Sequence, residues 1–74
     1  MSDSSARTRY LAALMSHVTE DQYPSATQMQ HIESMLDRDE IEHYVGLLIK
    51  KIAEDRYPSV PMMQRVERLL DELR

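Results

Sequence analysis

The chain repeats itself. Displaced by 34 positions, residues 10–37 fall on 44–71: Tyr10 on Tyr44, Leu14 on Leu48, Glu20-Asp21 on Glu54-Asp55, Tyr23-Pro24-Ser25 on Tyr57-Pro58-Ser59, Met29-Gln30 on Met63-Gln64, Glu33 on Glu67 and Leu36-Asp37 on Leu70-Asp71. These are 12 identities in 28 aligned pairs, where average composition gives about two by chance. Val18 on Ile52 and Ile32 on Val66 are aliphatic exchanges. Whatever this chain folds into must therefore be buildable twice from one unit.

The repeated Tyr-Pro-Ser says what that unit is. A proline disfavours the α conformation in the residue before it, so Tyr23 and Tyr57 end a helix or stand just beyond one. Ser25 and Ser59 are natural N-caps for the next helix. Gln28 has the N3 position of a capping box with Ser25, whereas Met62 occupies N3 in the second copy. Pro61 falls in a first helical turn, where its missing N–H matters little. Pro24 with Met29, and Pro58 with Met63, have the spacing of a hydrophobic staple. The unit is a helical hairpin.

Composition agrees. Glycine occurs once and proline three times, Trp and Phe are absent, and Met, Leu, Glu and Ala are plentiful, which favours helices over sheet. Four helices are expected: A over about 5–21, B over about 26–36, C over about 40–55 and D over about 60–73. Their inward stripes are Tyr10, Leu11, Leu14 and Val18 on A; Met29, Ile32, Met35 and Leu36 on B; Ile41, Tyr44, Leu48 and Ile52 on C; and Met62, Met63, Val66, Leu69, Leu70 and Leu73 on D. The B–C junction has no Gly or Pro. A break is still expected there, because Asp39 and Glu42 have cap-and-box spacing and an unbroken helix would swing the apolar stripe by about 140° between Leu36 and Ile41. The expected fold class is all-α: a compact four-helix domain spanning 1–74, made of two tandem helical hairpins (about 5–37 and about 39–74) after a frayed polar segment 1–4. A 34-residue helical period is also that of tetratricopeptide units, but their Trp, Leu-Gly and Ala pattern is missing.

Several function classes are disfavoured. With 74 residues and no cysteine, neither disulfides nor thiolate-bound zinc can reinforce a small core. No apolar run reaches the roughly 20 residues needed to span a bilayer, and Met1-Ser2-Asp3-Ser4-Ser5 lacks the pattern of a secretory leader; a cytoplasmic location is the expectation. Glu40-x-x-His43 has di-iron bundle spacing, but the matching stretch Ala6-Arg7-Thr8-Arg9 offers no ligand. His17 and His31 are replaced in the second copy by Lys51 and Arg65, a pattern of solvation rather than chemistry. No catalytic residue, metal ligand or cofactor is expected.

The net charge is -4, which on average repels a phosphate backbone. Lys50, Lys51, Arg65 and Arg68 are the candidate phosphate contacts, although Glu54, Asp55, Glu67, Asp71 and Glu72 are interleaved with them. On helix C, Leu47, Ile49 and Ala53 carry apolar character past the inward stripe, beside Gly46; on helix A, Ala12, Ala13 and Met15 are the counterparts of Gly46, Leu47 and Ile49. The expected function is a non-enzymatic protein–protein interaction module that self-associates, forming a homodimer or docking another protein through Ala12, Ala13, Met15, Gly46, Leu47 and Ile49. The alternative is a DNA-associated regulator or antitoxin-like protein using the basic residues of the second hairpin.

Overall fold

The computed structural model describes residues 5–21, 24–57 and 59–74. The segment 1–4 and the turn residues Tyr23 and Pro58, with the Pro58–Met63 staple, lie outside the described residues. The fold is all-α. Helix α1 spans Ala6–Glu20, α2 Ala26–Met35, α3 Arg38–Glu54 and α4 Val60–Glu72, and no strand occurs among the described residues. The chain divides into two compact units, Met1–Met35 and Leu36–Arg74, with α1 packing on α2 in the first and α3 on α4 in the second.

Local chemistry sets the helix boundaries. Ser5 caps α1, its Oγ accepting the Thr8 backbone N–H at 3.2 Å. Ser25 and Ser59 accept from the N–H of Gln28 at 3.3 Å and of Met62 at 3.0 Å. One orphan donor of each helix start is thereby satisfied, as the two serines require. Pro61 lies in the first turn of α4. At the other end of the hairpin arms, α1 and α3 stop at the equivalent residues Glu20 and Glu54, and extended Asp21 and Asp55 terminate them.

The α2–α3 junction is a break at Leu36 and Asp37. The cap, however, is Asp37 and not Asp39. Glu40 stands at N3 and its Oε1 accepts the Asp37 backbone N–H at 2.8 Å, forming a capping box two residues ahead of the expected one. Asp37-Arg38-Asp39-Glu40 offers two acidic caps, and the earlier one also places Asp39 and Glu40 in the first turn, where negative charge meets the positive helix end.

An arginine closes each hairpin at its open end. Arg7, at the start of α1, donates to the carbonyl oxygen of Met35, the last residue of α2. Arg38, the first residue of α3, donates to Glu72 O at 3.2 Å and Leu73 O at 2.6 Å at the end of α4. These carbonyls have no partner within their own helix. The cation also complements the negative end of the helix it reaches.

The core comprises Leu11, Met15 and Val18 of α1, Met29 and Ile32 of α2, Ile41, Tyr44, Val45 and Leu48 of α3, and Val66 and Leu69 of α4. The two copies do not bury equivalent residues. Tyr44 is fully buried, whereas Tyr10 keeps 50% of its surface exposed; Met29 is buried where Met63 is half-buried, and Leu69 is buried where Met35 is half-buried. At 100° per residue, the buried arc turns by about 60° between α1 and α3, and by about the same angle between α2 and α4. One apolar stripe is thus covered along different edges in the two hairpins.

Candidate interaction surface

The residues expected to form a partner face are sorted by this rotation. On α1, Ala12 and Ala13 are exposed. Met15 is only 8% exposed and belongs to the core; the expectation that it shares an open face is corrected. The angle of the buried arc explains the change, since α1 turns its Met15 edge inward and leaves its Tyr10 edge out. On α3 the reverse holds. Ile49, the repeat counterpart of Met15, is 49% exposed, while Leu47 is half-buried and Gly46 is exposed.

Gly46, Ile49 and Ala53 follow one another at the i, i+3, i+7 spacing that aligns side chains along one helix face, and all three are exposed. Gly46 has ordinary helical backbone with no positive φ. A Cβ built on it would meet nothing within 4 Å. The glycine therefore answers no steric need inside the described structure, although glycine in a helix interior costs about 0.5–1 kcal/mol relative to alanine.

Further apolar exposure comes from Leu70, Val60 and Tyr57, the last 82% exposed. Tyr57 lies beyond the end of α3. Its backbone N–H donates to Asp55 Oδ1 at 3.3 Å, turning the chain after α3. Leu70, expected in the inward stripe of α4, is 46% exposed; the exposure of Tyr57 carried no sequence signal.

The basic residues of α3 and α4 are placed unequally. Lys50 and Arg68 are exposed, whereas Lys51 and Arg65 are half-buried, and Glu54, Glu67, Asp71 and Glu72 stand exposed along the same helices. Exposed acidic and basic residues are thus interleaved along these helices. Glu40 is engaged in the α3 capping box and His43 is exposed. Among the described residues, no group of three or more His, Asp or Glu is placed to hold a metal ion. His31 is exposed with Nε2 3.5 Å from the Tyr10 hydroxyl, and His17 is exposed in the last turn of α1. No helix among the described residues is long and apolar enough to cross a membrane.

No protein-family model, curated protein or solved structure matches this chain.

Proposed function

We propose that the protein is a non-enzymatic helical interaction module that self-associates through the outer face of α3, with the exposed small residues of α1 as a second contact region. The observation that carries this reading is the open face at Gly46, Ile49 and Ala53. A helix-weakening glycine is placed beside an exposed isoleucine, and the surrounding structure gives no internal reason for it. A residue without a side chain lets a second helix approach closely, and an apolar neighbour supplies area to bury. Ala12 and Ala13, at the repeat positions of Gly46 and Leu47, are likewise small or apolar and exposed on α1. A 74-residue chain has little core of its own, and association is a common supplement to stability at this size.

The test is the solution mass of the full chain by light scattering over a dilution series, beside Ile49→Glu. The reading expects a concentration-dependent mass above that of the monomer, and a monomeric Ile49→Glu with unchanged helical circular dichroism. A parent that stays monomeric at the highest soluble concentration overturns self-association, as does an Ile49→Glu variant that associates like the parent.

A further inference from the structure

We draw no further inference here: the strongest candidate, the exposed apolar side chains around the α3–α4 turn and on α4 (Tyr57, Val60 and Leu70), carries nothing beyond the proposed association because nothing in the structure shows what covers them.

Discussion

Replacing Arg38 by alanine removes two hydrogen bonds that tie the start of α3 to the last carbonyls of α4. Arg38 donates two hydrogen bonds, at 2.6 and 3.2 Å. Charge-assisted bonds are nominally worth about 1.5–3 kcal/mol each. Arg38 is exposed, so water competes for both partners, and the scale for a cation at an exposed helix end is nearer about 0.3–1 kcal/mol. Two further terms act the other way. The arginine stands at the positive end of its own helix, a repulsion of a few tenths of a kcal/mol at this position that alanine relieves. Alanine is also a marginally better helix former. The net loss is about 0.5 kcal/mol, which in a domain of this size lowers Tm by about 2–4 °C. Arg38→Lys keeps the charge but not the two-pronged donor, and should lose about half as much. Thermal melts followed by circular dichroism measure the shift, with Arg74→Ala as control because its pairing with Asp71 is a surface contact at 3.5 Å. Hydrogen exchange should quicken selectively in the last turn of α4. A Tm for Arg38→Ala within about 1 °C of the parent, with unchanged exchange there, would refute the reasoning.

The repeat tyrosines should respond unequally. Tyr44→Ala removes a fully buried ring and should cost about 3–5 kcal/mol, enough to unfold most of a domain this small, whereas Tyr10→Ala should cost about 1 kcal/mol or less; equal losses in urea titrations would contradict the rotated burial. Gly46→Ala should raise the stability of the monomer by about 0.5–1 kcal/mol, because beyond the adjoining backbone of its own helix the added methyl meets nothing within 4 Å, and under the proposed function it should weaken association at the same time. A Tm that falls in Gly46→Ala at a dilution where the parent is monomeric would show a crowding at that position that the structure does not contain. Ser59→Ala deletes the α4 cap and should cost about 1 kcal/mol, with Ser59→Asp retaining most of it; indistinguishable melts for parent and Ser59→Ala would remove the cap from the account.

Much of the fold was legible because it rests on local chemistry. The helix starts at Ser25 and Ser59 follow from side-chain oxygens three residues ahead of an orphan N–H, and such short-range geometry is written directly in the sequence. Which edge of a broad apolar stripe becomes buried was not legible. Val45 and Met15 are core, and Leu70 is not, although hydrophobicity ranks all three alike; the angle at which helices meet decides among them, and that angle is a property of the packed pair. The arginine closures were hidden for a different reason. An arginine in a first helical turn reads as mildly unfavourable for its own helix, and its benefit appears only when the partner helix end is brought alongside. At the candidate surface, the exposure of Ile49 could be anticipated from apolar residues beyond the stripe, whereas the burial of Met15 could not.

The two hairpins differ in helix length at one end only. Measured in the repeat frame, α1 and α3 end at the same position and α2 and α4 begin at the same position, so the turn side is unaltered. Yet α3 has 17 residues to the 15 of α1, and α4 has 13 to the 10 of α2. All of the growth lies at the open end: two residues before α3 and three after α4, about 3 Å and 4.5 Å of added length at 1.5 Å per residue. Each open end, at its own length, carries an arginine that reaches the last carbonyls of the partner helix. Asp37 and Arg38 supply the cap and the arginine for the second copy. In this chain, arm length differs between the hairpins while the helix ends beside the turn keep the same repeat positions.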